Sequence, residues 1–293
     1  MRIRDRLLNG PLGFGAAPLG NMFRNIPDKE AAATVDSAWQ QGTRYYDTAP
    51  FYGAGLSEIR LGKTLAAHKR DEYVLSTKVG RLILDEVETG RRDFGEKGGI
   101  FEFGRTNRIV YDYSEHGALK SIEDSQKRLG IDRLDFVWVH DLAQDFHGDA
   151  WIAQFDGTLL AGRYTLLDHE RSLQRLMPAA VAKGVDIVIG GPYSSGVLAG
   201  GTHFEYQKAS PEIVAKVERI KAVAQRHDVP IKAAALQFSL AHPASAAVIP
   251  GASRPERIAE DHAALKAVIP ADFWREMRKQ GLVAANAPLP IDR

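Results

Sequence analysis

The sequence contains no cysteine among its 293 residues, which excludes disulfide bonds and thiolate chemistry and is compatible with a reducing compartment. Its 38 basic and 37 acidic residues leave a net charge of +1, which indicates neither a nucleic-acid nor a membrane-surface partner. No apolar run is long enough to span a bilayer, and residues 1–6 are charged and lack the apolar core of a signal peptide. We therefore expect a soluble cytoplasmic protein, either a monomer or a small homo-oligomer.

Predicted strands and helices alternate along most of the chain, a pattern typical of a single (β/α)8 TIM barrel over residues 1–293. Seven short apolar or β-branched runs predict the strands, and segments with helical apolar spacing lie between most of them. The runs lie near Leu12, Tyr45, Val74, Phe136, Leu160, Ile187 and Val248. Since the closed barrel has eight strands, one βα unit is missing from the pattern.

The missing unit belongs between the strand near Phe136 and the strand near Leu160. Only the polar residues 141–156 connect them, and no helical period is visible there, although a parallel crossover normally contains a helix. We place the gap near Phe155-Asp156. Either a segment is omitted from the sequence or the chain is truly shortened. We favour omission, because an open barrel would expose unpaired strand edges and apolar core.

Four polar residues follow the ends of three successive predicted strands. Asp47 ends one strand and Tyr52 follows it closely, Lys78 ends the next, and His140 ends the one after that. Residues at the C-terminal ends of barrel strands converge on one face, where the active sites of this fold lie. Singly, each residue has a structural interpretation, since histidine and tyrosine pack in cores and lysine can snorkel. The occurrence of all four residue types at neighbouring strand ends favours a common catalytic site over four separate structural roles.

The chemistry that suits such a site is proton transfer to or from a carbonyl or alcohol oxygen. A free tyrosine has a pKa of about 10, and a nearby ammonium group lowers it. Lys78 can supply the ammonium, Asp47 can hold Lys78 by an ion pair, and His140 can donate a hydrogen bond to a substrate oxygen. Tyr52 would then act as general acid or base. No side chain can carry a hydride, so a nicotinamide cofactor is implied.

These residues resemble the motifs of the aldo-keto reductase family, and the resemblance covers nearly the whole chain. The matching positions are Asp47-Thr48-Ala49, Tyr52-Gly53, Ser57-Glu58, Leu61-Gly62, Lys78 and His140-Asp141. The resemblance implies that Asp47, Tyr52, Lys78 and His140 form a catalytic tetrad. Residues 163–168, 195–199 and 235–238 resemble a narrower branch of the family, which includes D-threo-aldose (L-fucose) dehydrogenases and a pyridoxal 4-dehydrogenase.

Residues 249–255 resemble the phosphate-binding segment of that family. The resemblance assigns cofactor contacts to Gly251, Ala252, Ser253, Arg257, Glu260 and Asp261. Family members that favour NADPH usually place a lysine where Gly251 stands, so we expect NAD. NADP remains the alternative, because Arg254 and Arg257 lie nearby and arginine binds phosphate well. The family's asparagine that holds the nicotinamide carboxamide would lie in the missing unit.

The expected reaction is oxidation of an aldose at C1 to its lactone, with a small sugar or aldehyde as the substrate. The long polar segment of residues 81–114 leaves the barrel next to Lys78, and we interpret it as a substrate lid. Pyridoxal is the alternative substrate, and a nucleotide-binding regulatory subunit of the same fold is an alternative of another class. No recognised metal motif is present and no metal is expected. A metal-dependent hydrolase would instead use His140, Asp141, Asp145 and His147.

Overall fold

The computed structural model describes residues 2–88, 99–141 and 157–292. The strands in these ranges are β1 (Phe14–Gly15), β2 (Tyr45–Asp47), β3 (Val74–Val79), β4 (Arg81–Val87), β5 (Asn107–Tyr111), β6 (Phe136–Val139), β7 (Gly157–Ala161), β8 (Asp186–Gly190), β9 (His203–Phe204), β10 (Gln207–Lys208) and β11 (Ser245–Ile249). The α-helices are α1 (Asp28–Gln40), α2 (Leu56–Leu65), α3 (Glu115–Leu129), α4 (Glu170–Gln174), α5 (Leu176–Lys183), α6 (Pro211–Arg226), α7 (Ile231–Ala241), α8 (Pro255–Lys266) and α9 (Ala271–Lys279).

The seven predicted strands are all present and run parallel. Hydrogen bonds join β1, β2, β3 and β6 in one sheet and β11, β8 and β7 in another. Parallel bridges from Leu12 to Val248 and from Gly15 to Gly251 connect β1 to β11. The strand order is therefore β6-β3-β2-β1-β11-β8-β7. Apart from β6 and β7, barrel strands that follow one another along the chain are also neighbours in space, as in a β/α barrel.

Strands β6 and β7 are the two ends of this order. Within the described ranges, β6 pairs only with β3 and β7 pairs only with β8. The predicted gap near Phe155-Asp156 itself lies outside the described residues. The strands on either side of it are not hydrogen-bonded to each other in the described ranges, which agrees with a strand position between them.

The helices cover the outside of the strands, and the strands' own side chains fill the inside. One buried cluster joins side chains from five strands: Tyr45, Val74, Trp138, Val188 and Ala247. A second buries α1 and α2 against β1 to β3, and a third buries α5, α6, α7 and α9 against β8 and β11. None of the described helices has both the length and the apolar content needed to cross a membrane.

The start of the chain lies across the N-terminal end of the strands. Arg2 Nη2 and Arg4 Nε each donate to Asp186 Oδ1 at 2.7 Å, and Asp186 is the first residue of β8. Ile3, between the two arginines, is 3% exposed and packs in the inner cluster. These contacts close one end of the strands, so the opposite, C-terminal end is the one left for a site.

Two hairpins extend from the barrel at its C-terminal end. Strands β4 and β5 pair antiparallel within the predicted lid, and β9 and β10 form a shorter hairpin after β8. Neither hairpin was predicted as strands. The segment 89–98, between β4 and β5, lies outside the described residues.

Candidate active site

The four predicted catalytic residues lie together at the C-terminal ends of β2, β3 and β6. Asp47 is the last residue of β2, Lys78 lies near the end of β3, and His140 directly follows β6. The strands pair in that order, so these positions are neighbours. Asp47, Lys78 and His140 are 2%, 4% and 8% exposed. The site is therefore largely shielded from solvent, where charge interactions are strong.

Lys78 is held by two oxygen atoms, one from the last residue of β2 and one from the residue that follows it. Its Nζ donates to Asp47 Oδ2 at 2.6 Å and to the Thr48 carbonyl at 2.8 Å. Ser76 donates its hydroxyl to Asp47 Oδ1 at 2.7 Å and fixes the carboxylate. Burial alone would lower the Lys78 pKa, but Asp47 and Tyr52 outweigh it and the pKa is raised. Lys78 therefore remains an ammonium group throughout the working pH range.

Tyr52 stands beside this ammonium group in the turn after β2. Lys78 Nζ lies 4.8 Å from the centre of the Tyr52 ring. Burial raises the pKa of Tyr52 to about 12, although Lys78 lowers it and Asp47 raises it further. The expected effect of Lys78 is confirmed in direction, but the expected net lowering below 10 is wrong because desolvation is larger. At neutral pH Tyr52 is a phenol that is ready to donate a proton.

His140 completes the site as a neutral imidazole. Its ring centre lies 5.8 Å from that of Tyr52 and 5.7 Å from that of Phe51. Burial, with further effects from Lys78 and Arg81, holds the His140 pKa well below 6.5. Its buried Nδ1 has no hydrogen-bond partner among the described residues. A neutral ring with an uncommitted nitrogen can bind a substrate oxygen without adding charge.

Arg81 lies next to His140, and the sequence interpretation did not include Arg81 among the site residues. It is 4% exposed, forms an ion pair with Asp141, and stacks 3.8 Å from the centre of the Phe51 ring. The one local signal was a cation placed three residues after Lys78.

Of the alternative metal-binding set, only His140 and Asp141 are described, and the described ranges contain no group of three potential metal ligands. Asp145 and His147 lie outside the described residues.

Part of the segment predicted as a lid packs against Tyr52. Phe101 packs against Phe51 with ring centres 5.2 Å apart and against Tyr52 at 5.8 Å. Asn21 donates its amide to the Phe103 carbonyl at 2.7 Å, which ties this segment to the loop after β1. The mouth of the site is therefore aromatic. The role of the segment as a lid stays a prediction.

A second cavity of about 400 Å³ lies at the ends of β8 and β11, and we call it the β11–α8 pocket. Its lining comprises Tyr193, Ala199, Lys232, Gly251, Arg254, Glu256, Arg257, Glu260 and Asp261. Four of the six predicted cofactor residues are in this set. The side chain of Ala252 packs in the core instead, and the Ser253 carbonyl accepts from Arg24 at 2.7 Å. No local sequence pattern indicated Tyr193 and Lys232, which come from other elements.

Gly15 connects the two sites. It pairs with Asp47 on one side and bridges to Gly251 on the other. Neighbouring strands lie about 4.8 Å apart, so Asp47 and Gly251 are roughly 10 Å apart. The pocket combines lysine and arginine with the N-terminus of α8, a donor set that suits phosphate, and its carboxylates can accept from ribose hydroxyls. These residues fit a nicotinamide dinucleotide that extends from the pocket to Tyr52.

Comparison with known proteins identifies the family. The model of the Aldo/keto reductase family matches residues 11–159 and 153–281. The chain belongs to this family. This aldo/keto reductase is 37% identical to D-threo-aldose 1-dehydrogenase of a Pseudomonas species, over 93% of this chain and 94% of the relative. It is 33% identical to pyridoxal 4-dehydrogenase of Microbacterium luteolum over the same shares. The family uses nicotinamide cofactors, and the chain is an oxidoreductase.

Solved structures show the same fold. An aldo-keto reductase from Bacillus halodurans superposes with a TM-score of 0.70 at 21% identity, covering 97% of this chain and 95% of the other. A glycerol dehydrogenase from Gluconobacter oxydans gives 0.68 at 18% identity over the same shares. The predicted β/α barrel is thereby confirmed.

The family match is divided into two segments where the missing unit is predicted. The two segments overlap at residues 153–159, a range that includes Phe155-Asp156. The alignment to the Pseudomonas relative extends over 314 positions, more than the 293 residues of this chain. The relative therefore contains residues without a counterpart here.

Proposed function

We propose that this aldo/keto reductase oxidises the C1 carbon of an aldose to the lactone, with NAD as the cofactor. The observation that carries the proposal is the buried Lys78–Asp47 pair beside Tyr52 and neutral His140. A bound nicotinamide supplies the acceptor for the hydride that leaves C1. The residues of the chain then have to remove the hydroxyl proton and hold the sugar oxygen in place.

Tyr52 takes the proton of the anomeric hydroxyl as the C1–O bond becomes the lactone carbonyl. The accepting form is the phenolate, and the fixed ammonium group of Lys78 stabilises it. Asp47 keeps Lys78 in position and charged. In the reverse reaction, the protonated Tyr52 donates to the carbonyl oxygen. Tyr52 thus serves both oxidation and reduction, and the pH sets the fraction of phenolate or phenol that is present.

His140 binds the reacting oxygen from a second direction. As a neutral imidazole, it can donate one N–H to that oxygen without competing with Tyr52 for its proton. The hydrogen bond orients the C1–H bond, and positioning of this kind lowers the activation free energy. The buried aromatic rings of Phe51 and Phe101 exclude water around it.

The preference for NAD rests on Gly251. It lines the β11–α8 pocket and provides no side chain that could meet a 2′-phosphate. A Cβ atom on Gly251 would lie 3.2 Å from Pro18, so the loop is packed closely at this position. The pocket therefore offers a compact backbone surface where family members that favour NADPH usually place a lysine.

The choice of an aldose rests on the Pseudomonas relative, whose name gives D-threo-aldose as its substrate. Pyridoxal is a second candidate, because the mouth of the site is aromatic and the Microbacterium relative is named as a pyridoxal 4-dehydrogenase. A flat pyridine ring would stack against Phe51 or Phe101.

A substrate panel tests the proposal. L-fucose, other aldoses and pyridoxal would each be supplied with NAD or NADP, and reduced nicotinamide followed by its absorbance. We expect the highest kcat/KM for an aldose with NAD, and lactone as the product. A higher value for pyridoxal would favour the second candidate. Cofactor binding without turnover of any of these compounds would favour the regulatory subunit.

A further inference from the structure

Lys232 is a cation in the β11–α8 pocket, and its ammonium group forms ion pairs with two carboxylates. Its Nζ lies 2.7 Å from Asp261 Oδ1 and 2.9 Å from Glu260 Oε2. Tyr193 donates its hydroxyl to the same Asp261 oxygen at 2.6 Å, and its ring centre lies 5.1 Å from Lys232 Nζ. The side chains of Lys232 and Asp261 are 19% and 4% exposed, so solvent screens their interaction weakly.

The formal charges that line the pocket cancel. Three are cationic and three are anionic: Lys232, Arg254, Arg257, Glu256, Glu260 and Asp261. Arg254 points outward with a 59% exposed side chain and lies 4.0 Å from Glu30. A phosphate monoester adds about −1.5 to −2 charge at neutral pH. A 2′-phosphate entering this pocket would therefore meet carboxylates as well as cations, whereas a 2′-hydroxyl would not be repelled.

The pocket is on the side of the barrel end that the adenosine half of a dinucleotide would occupy. Tyr52 follows β2 and Lys78 lies on β3, and Gly15 of β1 separates these strands from Gly251 in the strand order. A cofactor with its nicotinamide near Tyr52 would cross Gly15 and Gly251 and reach α7 and α8. Lys232 lies in the first turn of α7, and Glu260 and Asp261 lie on α8.

We propose that Lys232 is a masked cation that sets cofactor choice: Asp261 and Glu260 neutralise it, and the pocket therefore prefers a 2′-hydroxyl to a 2′-phosphate. The inference rests on the proposed use of a nicotinamide dinucleotide and adds Lys232 to the residues that select it. It also explains how a pocket with three cations can favour the less charged cofactor.

The test removes the two carboxylate charges and keeps the side-chain shapes. Dissociation constants of NAD and NADP would be measured by titration calorimetry for the wild type and for the double variant Glu260→Gln, Asp261→Asn. We expect the ratio of the two constants to move at least about tenfold toward NADP, because Lys232 becomes available to the phosphate. The shift should shrink at high ionic strength, since it depends on charge.

Two further variants separate this explanation from a general loss of negative charge. Lys232→Met added to the double variant should abolish the shift toward NADP. Glu256→Gln is the matched control, because Glu256 lines the same pocket without a contact to Lys232 among the ion pairs described. The inference is wrong if Glu256→Gln gives the same shift, or if the shift survives without Lys232.

The same binding data test the proposed function and the role of Lys232 separately. If the wild type binds neither dinucleotide, the proposed function fails; if it binds NAD and the double variant shows no shift, only the role of Lys232 fails. Melting curves would report whether Asp261→Asn is folded. Glu260→Gln alone, at a position with a 57% exposed side chain, gives a smaller shift in the same direction should Asp261 be needed for folding.

Discussion

Two opposing effects act on the pKa of Tyr52, and the sequence reveals only one of them. The ammonium group of Lys78 could be predicted from the sequence, but the burial of Tyr52, and with it the cost of forming a phenolate there, could not. In the structure, burial raises the pKa of Tyr52 to about 12 while Lys78 lowers it. The phenolate is therefore a minor species at neutral pH, and this affects oxidation more than reduction.

The first prediction concerns the pH dependence of oxidation. Because the pKa of Tyr52 lies far above neutral, the phenolate fraction rises about tenfold for each pH unit below that value. The rate of oxidation at saturating substrate should rise accordingly from pH 7 upward, while the rate of reduction should stay nearly flat. In Lys78→Met, a given oxidation rate should be reached only at higher pH. A profile that levels off near pH 8 in the wild type would contradict this pKa.

The second prediction concerns Tyr52→Phe. The hydroxyl is the proton donor and acceptor of the proposed mechanism, so its loss should lower kcat by about 10²–10⁴-fold. Cofactor affinity should remain within a few-fold, because Tyr52 lies outside the β11–α8 pocket. Steady-state kinetics and direct titration of the cofactor would measure the two effects. A variant that keeps a third of the wild-type kcat would rule out Tyr52 as the proton carrier.

At the level of elements, the turn that carries Tyr52 is fixed by close backbone packing. Gly53 has a φ of +65°, and Gly20, in the 3-10 helix Ala17–Gly20, lies against it. A Cβ atom on Gly20 would stand 2.5 Å from the Tyr52 carbonyl carbon. Since no side chain fits between the two segments, the position of the Tyr52 ring depends on a glycine far from it in sequence.

The third prediction is therefore that Gly20→Ala lowers kcat at least about tenfold, because the turn must move and a small displacement of a catalytic group is costly. Gly184→Ala is the control: its φ is +65°, nothing lies within 4 Å, and it should cost stability alone. Kinetics and urea unfolding of both variants would separate the effects. Equal loss of kcat in the two variants would mean that Gly20 acts through stability.

The elements also show where sequence patterns are sufficient and where they fail. All seven barrel strands, and the convergence of the four candidate catalytic residues, were predictable, because strand ends in this fold converge by geometry alone. The packed face of α3 was not: Leu119 is 56% exposed, and the buried face contains Gly117, Ser121 and Ser125. Small residues allow close helix packing but leave no apolar signal. Lys232 was missed because its partners lie on another helix.

At the level of the whole molecule, β6 and β7 each have one edge without a strand partner among the described residues. The family match is divided into two segments at residues 153–159, beside β7. The proposed catalytic residues lie on or just after β2, β3 and β6, and the β11–α8 pocket lies at the ends of β8 and β11, so most of the supporting strands do not border the predicted gap. His140 is the exception, because it follows β6.

The last prediction concerns acid stability, to which buried histidines contribute throughout the barrel. Burial lowers the pKa of His242 to about 4, and the pKa of His169 is also lowered. Between pH 6.5 and 4 the unfolded chain therefore binds protons that folded His242 does not, so stability is complete above 6.5 and falls with pH. The loss from His242 should be about 2 kcal/mol at pH 5.

Urea unfolding at pH 7 and pH 5, followed by tryptophan fluorescence, would measure the loss as a lower midpoint at unchanged slope. His242→Gln should weaken the pH dependence, because the unfolded variant no longer takes up this proton, although the substitution itself lowers stability at both pH values. His116→Gln, at an exposed position on α3, is the matched control. An equal pH dependence in wild type and His242→Gln would show that acid weakens the barrel through other groups, of which His169, whose pKa burial also lowers, is the next to test.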